Sequence, residues 1–379
     1  MKRGLILGFT LFLFTVSGCG TSRPPVVECE RPRPAASRPA LGPVTLHLDY
    51  AGAEAIVRAL AQDSLSDAEV DALLGIHGVR AMVDNVTRYV PGNGIPEFRS
   101  EVRHFARRKR AGDHEIFQLR DVWRERSRVR ELIGAIRAQE SGIVRETLSG
   151  LEPYRPDTGP LSINVYFTAG GVSDGFLFDD QTPPAFYANL ARAGGDLNAV
   201  VGNLAHESYH VMQKAAQRRA GLHAVADSTD ALPEPERLLA HTLSEGVANY
   251  VVDPTCSATF RGEQGPQSVE RYLRNAQPAR ITENFTLFDQ VLADLGARRV
   301  TWEDAYRRGF SGDEDARFYF VGYEMAKAIE HHCGTACVPR LFEQHPVEFF
   351  RQYISLYRAH PEIRWRFAPE TERALMPPG

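Results

Sequence analysis

Two histidines four residues apart, with a glutamate directly after the first, stand in the stretch DLNAVVGNLAHESYHVMQKAAQRR, Asp196 to Arg219. On a helix His206 and His210 lie one above the other, so both imidazoles can reach a single metal ion. Glu207 adjoins the first of them without being a ligand itself, the position of a general base for a metal-activated water. Ala199, Asn203, Gln213 and Gln217 share the histidine face, whereas Leu197, Val201, Leu204, Val211 and Ala215 recur on another at three-to-four spacing. The helix is therefore expected to turn its histidines to a polar cleft and its apolar side to a core. With 12 His in 379 residues, chance alone puts one such motif in roughly 2% of chains. Two surface histidines on an ordinary amphipathic helix are the plain alternative, and the decision passes to what lies downstream.

A catalytic zinc ion takes three protein ligands and keeps one position open. Six residues after His210, where a metzincin would place its third histidine, stands Ala216. Further on, LLAHTLSEGVANYVVDP offers Glu245, with His241 one turn before it and Asn249 one turn after it on the same helical face. By residue chemistry Glu245 and His241 both qualify as the third ligand. The context SEGVANY resembles the gluzincins, in which a Glu on a second helix completes the site. That resemblance implies Glu245 as the third ligand, one Zn2+ per chain, and Glu207 as the base. It also implies that Asn249 stands where gluzincins carry an acidic residue that orients a ligand histidine, and leaves His241 beside the ligands or at the surface. A third segment, RFYFVGYEMAKAIEHHCG, resembles the Tyr-x-x-Gly and following helix of aminopeptidase-N-type enzymes. The resemblance maps the tyrosine that donates to the oxyanion onto Tyr319, with Tyr323 as competitor. The order of strand, His-Glu-x-x-His helix, Glu helix and Tyr-x-x-Gly helix also resembles uncharacterised bacterial families of zinc-dependent peptidases, over about Leu161 to Gly334.

The elements that must position these residues are mostly helical. Ser66-Asp67-Ala68-Glu69 reads as a capping box before Val70, Leu73 and Leu74. Val79, Met82, Val83 and Val86 recur at helical spacing, PGNGIP from Pro91 interrupts, and a charged segment runs from Glu97 towards Gly150. In PLSINVYFTAGG, Ile163, Val165 and Phe167 alternate with Ser162, Asn164 and Tyr166, the period of a half-buried strand. GFLFDD is expected to return as its partner strand. Ile163, Asn164, Val165, Tyr166 and Phe167 are a candidate sheet edge for an extended peptide, or equally an interior strand with no substrate role. Further helices are expected around Leu238 to Val252 and from about Ala316 to His332. The expectation is an α+β fold, mostly helical, with a zincin-like catalytic unit that has a small β-sheet. Its parts would be a leader over 1–18, a tether over 19–44, a helical region over 45–150 and the zincin-like unit over 151–379.

The first residues carry Lys2 and Arg3, then an apolar run from Leu5 to Val16, then Ser17-Gly18-Cys19. This has the form of a secretory leader and is too short for a permanent membrane span, which takes about 20 residues. Its end resembles the bacterial lipoprotein processing box, which implies lipidation of Cys19 and attachment in the bacterial cell envelope. Gly20 after the cysteine implies the outer membrane. The Pro-rich GTSRPPVVECERPRPAASRPALGP then reads as an extended tether. Cys29, Cys256, Cys333 and Cys337 permit two disulfides with three possible connectivities, and HHCGTAC is expected to hold a disulfide or two unreactive thiols. A net charge of -4 gives no electrostatic reason to expect nucleic acid. RHFARRKR, Arg103 to Arg110, reads as a solvated helix face rather than a lipid contact. Together these features point to a peptide or protein substrate for an enzyme held to a membrane by lipid alone. The competing class is a catalytically inactive surface lipoprotein that uses the same fold as a binding or scaffold module.

Overall fold

The computed structural model describes residues 41–90, 92–107, 115–178, 181–227, 229–255, 266–311 and 315–376. Cys19, the leader, most of the tether, Cys29 and Cys256 lie outside the described residues. The first described strand, β1, covers Val44–Asp49, and is followed by α1 (Ala51–Ala59), α2 (Asp67–Leu74), α3 (His77–Tyr89), α4 (Ile95–Ala106), α5 (Leu119–Ala138) and α6 (Glu140–Leu151). Three strands come next, β2 (Leu161–Thr168), β3 (Gly175–Leu177) and β4 (Ala185–Asn189). Helices then continue through α7 (Leu197–Arg219), α8 (His223–Asp227), α9 (Glu234–Val251), α10 (Pro266–Asn275), α11 (Pro278–Gly296), α12 (Trp302–Gly309), α13 (Arg317–Cys333), α14 (Cys337–Arg340), α15 (Pro346–Ala359) and α16 (Pro369–Leu375). The architecture is α+β and mostly helical.

The Ser66 capping box acts where expected, and the structure adds a second cap at Asp196. Ser66 Oγ accepts from the Glu69 N–H and the Glu69 carboxylate accepts from the Ser66 N–H, so α2 starts at Asp67. Asp196 caps α7 by accepting from the Asn198 N–H.

The sheet corrects two expectations. Its order is β1-β2-β4-β3, with β1, β2 and β4 parallel and β3 antiparallel to β4. β2 therefore lies inside, hydrogen-bonded on both sides, and the residues from Ile163 to Phe167 cannot receive a substrate strand. GFLFDD does not pair with β2 either; β3 pairs with β4, which stands between them. The 45–150 stretch, expected to be helical, opens with a strand whose first residue, Val44, was assigned to the tether. Its alternation in VTLHLD is too short to stand out beside the helices that follow. β4 escaped notice because all five of its residues are buried, and a fully buried run has no period-two signature.

Successive residues of β2 serve two faces. Tyr166 points towards α3, where Ala81, Phe176 and Tyr187 form a small aromatic layer. Ile163, Val165 and Phe167 join the main core, which also holds Val200, Val201 and Leu204 of α7 and runs from β1 to α16. Because α7 packs against β2, β3, β4, α6 and α9, it is buried on nearly all sides, including Ser208, Tyr209, Met212 and Ala216. The expected division into one polar and one apolar face is thus replaced by an interior helix whose polar side is answered by α9. Among the described residues no helix is long and apolar enough to cross a membrane.

Candidate metal centre

α7 and α9 bring three donor atoms together. His206 Nε2 and His210 Nε2 are 3.0 Å apart, and Glu245 Oε2 stands 3.2 Å from His210 Nε2 and 3.4 Å from His206 Nε2. Donors bound at about 2.0–2.2 Å to a tetrahedral ion are separated by roughly 3.3–3.5 Å. The observed edges of 3.0–3.4 Å reach that spacing or fall short of it by a few tenths of an ångström, and the donor set of two imidazoles and one carboxylate suits zinc, so the residues present fit the ion.

The far side of His210 is held firmly. Its Nδ1 is 2.9 Å from Gln213 Oε1 and 3.1 Å from Ser244 Oγ. Gln213 is in turn locked to α9, accepting from the Ser244 hydroxyl at 2.7 Å and donating to the Ser244 carbonyl at 3.0 Å. An Nδ1–H donated to the glutamine oxygen leaves the Nε2 lone pair facing the triangle, the arrangement that metal-binding histidines need. Burial opposes charge on His210, yet the neighbouring Glu245 and Glu207 carboxylates outweigh it and push its pKa up to about 9. Burial likewise works against the Glu245 carboxylate, but the two histidines hold it well below its ordinary value. The cluster is a place that favours positive charge. Glu207, beside it, is pushed up chiefly by burial against the opposing pull of His206 and His210.

Glu207 reaches the sheet through β3. A Cβ placed on Gly175 would stand 2.6 Å from Glu207 Cδ, so the carboxylate occupies the space that any side chain at 175 would take. This brings the general-base candidate against the free edge of the sheet.

α13 crosses α9 beside Glu245. Burial and then the Glu245 charge raise the Tyr319 pKa well above its ordinary value, with Tyr306 and Glu207 adding to the effect. Tyr323 points elsewhere, donating to Asp253 Oδ2 at 2.6 Å within the interior. His241 is also turned away from the triangle. Its Nε2 is 3.1 Å from Thr229 Oγ1 and its ring packs 5.0 Å from Trp302 and 5.6 Å from Phe310. Burial drives its pKa down to about 4. Asn249 makes no side-chain hydrogen bond to either histidine among the described residues, and its backbone carbonyl accepts from Tyr272 Oη at 3.1 Å.

Several contributors were not singled out from the sequence. Gln213 had been placed on the histidine face, but its task depends on Ser244 from another helix. Tyr89 of α3 and Tyr306 of α12 both feel the Glu245 charge and bond to each other. Tyr89 is 56% exposed, so the pair links the surroundings of Glu245 to the surface. Only the fold joins α3 to α12, and neither tyrosine lies in a motif.

No curated protein and no solved structure matches the chain. Residues 70–362 match the profile of a family described as "Putative zinc dependent peptidase (DUF5700)". The matched stretch runs from within α2 to just beyond α15 and takes in α7, α9 and the Tyr-x-x-Gly helix α13. With well over half of its length matched in this way, the chain belongs to that family.

Proposed function

We propose that this chain is a zinc-dependent peptidase of gluzincin type, anchored by lipid at Cys19 in the bacterial envelope. The observation that carries the reading is the triangle of His206, His210 and Glu245 donor atoms at 3.0–3.4 Å. One zinc held there supplies a Lewis acid for the scissile carbonyl and brings the pKa of water in the site towards about 7. Glu207, buried and with a raised pKa, takes the proton from that water and returns it to the leaving amine. A carboxylate whose charge is poorly solvated accepts a proton readily, which suits the first of these transfers. Tyr319 donates its hydroxyl to the oxyanion; its raised pKa keeps that proton in place. The extended substrate adds to the edge strand β3, whose Gly175 lies against Glu207. Buried Gln213 and half-buried Ser244 hold His210 in the tautomer that the zinc requires.

The test is a peptide library incubated with zinc-loaded protein and read by mass spectrometry, with Glu207→Gln as control. Cleavage by the wild type and its loss in the variant are the expected results. Equal cleavage by both, or none by a wild type shown to carry zinc, would overturn the reading.

A further inference from the structure

The far end of α13 carries a second convergence of donors. From Tyr319 to His332 the helix rises roughly 20 Å, so this cluster is well separated from the triangle. His332, His360 and Glu362 bring one donor atom each within 4.8 Å of one another. The two rings face each other with centroids 4.0 Å apart and planes tilted by 35°, and His360 Nδ1 is 3.2 Å from Glu362 Oε1.

The backbone at each donor is fixed. His332 is followed by Cys333, which is bonded to Cys337. His360 ends α15 with its N–H on the Leu356 carbonyl, and its own carbonyl accepts from the Ile363 N–H. Arg366 donates to the carbonyls of Pro361 and Ile363, closing the turn that carries Glu362. The side chains of His360 and Glu362 are 42% and 64% exposed, so small rotations can draw the donors together around an ion. Imidazoles bind metal as neutral rings, each through a ring nitrogen. His332 and Glu362 also line a cavity of about 330 Å³, which leaves room for water on the remaining coordination positions.

We propose that His332, His360 and Glu362 form a second metal site, which takes a borderline divalent cation such as zinc, copper or nickel and excludes magnesium and calcium. Two imidazoles and one carboxylate select that class, and three donors make a site that exchanges its ion with solution rather than a closed structural one.

The experiment is metal counting on the purified protein after equilibration with excess Zn2+, by mass spectrometry of the metal. Wild type is expected to hold two equivalents. His332→Ala and, separately, His360→Ala should hold one, with melting curves that match the wild type when all three proteins are metal-free. His206→Ala should also hold one, lost from the other site. A single equivalent in wild type that vanishes in His206→Ala, or two equivalents retained in the double variant His332→Ala/His360→Ala, would overturn the proposal. Failure of the catalytic reading has a different signature, a His206→Ala count equal to that of the wild type.

Discussion

Gly246 and Gly322 meet backbone to backbone where α9 crosses α13. A Cβ at Gly246 would lie 2.6 Å from the Gly322 carbonyl carbon, and one at Gly322 would lie 2.8 Å from Gly246 Cα. Gly246 follows Glu245, the proposed third ligand, and Gly322 is the last residue of the Tyr-x-x-Gly segment, so this contact sets Tyr319 beside the carboxylate. Gly322→Ala and Gly246→Ala are expected to force the helices apart at a cost of about 1–3 kcal/mol. Zinc affinity should fall with stability, because Glu245 rides on the displaced helix. Denaturant unfolding and chelator competition check this, and wild-type values in both would show that the crossing has slack.

Gly175 and Glu207 form a second contact of this kind. Gly175→Ala should push the carboxylate from its seat while leaving the triangle of donors intact. Peptidase activity is expected to drop about 10²-fold, approaching Glu207→Gln, which removes the proposed general base, a contribution of roughly 10²–10⁴-fold. Zinc content should be unchanged in both variants. Loss of zinc from Gly175→Ala would mean that the strand supports the ligands and not the base.

Gln213 is the main outer partner of His210. Gln213→Ala is expected to weaken zinc binding by about 10–100-fold, with Ser244→Ala in the same direction. Asn249→Ala, lacking a side-chain bond to either histidine among the described residues, should bind zinc as the wild type does. Competition with a chromophoric chelator ranks the three, and a larger effect from Asn249→Ala would reverse this assignment.

Tyr319 and Tyr323 should separate in kinetics. Tyr319→Phe removes the proposed oxyanion donor, so kcat is expected to fall about 10²-fold with little change in KM. Tyr323→Phe removes the tyrosine donor from Oδ2 of the fully buried Asp253, whose Oδ1 keeps its bonds from Thr255, and should cost about 1–3 kcal/mol of stability with kcat nearly intact. The opposite pattern would give the catalytic role to Tyr323.

His241 predicts a pH dependence of stability. Its folded pKa is depressed to about 4, against an unfolded value near 6.5. Between these values the unfolded chain binds a proton that the folded chain refuses, so stability rises with pH. The contribution is complete above about pH 6.5 and is lost as the pH falls towards 4, with a slope of at most about 1.4 kcal/mol per pH unit. His241→Phe should flatten the melting temperature between pH 4 and 6.5 relative to wild type while retaining zinc. Parallel curves for the two proteins would show that the histidine does not titrate in this range.

The parts of the site legible in the sequence were those encoded within one helix. His206 and His210 are brought together by helical geometry alone, and the Ser66 capping box sets a helix start through a contact three residues long. The parts that were not legible depend on partners far along the chain. Whether β2 was an edge or an interior strand could not be read from its alternation, because pairing is decided by β1, more than a hundred residues earlier, and by β4, whose uniform burial leaves no pattern.

The sequence by itself determined the chemistry on offer: two imidazoles and a base on one turn, a candidate Glu on a later helix, and a mostly helical chain with a small sheet. Tertiary structure alone decided which groups meet. It turned His241 into an aromatic pocket and Tyr323 onto Asp253, and gave His210 to Gln213 and Ser244. It also put β3 against Glu207. The physical reason is range. Helical periodicity and capping act over a few residues, whereas a metal triangle, a sheet edge and a glycine crossing are contacts between segments that only a shared core can bring into register.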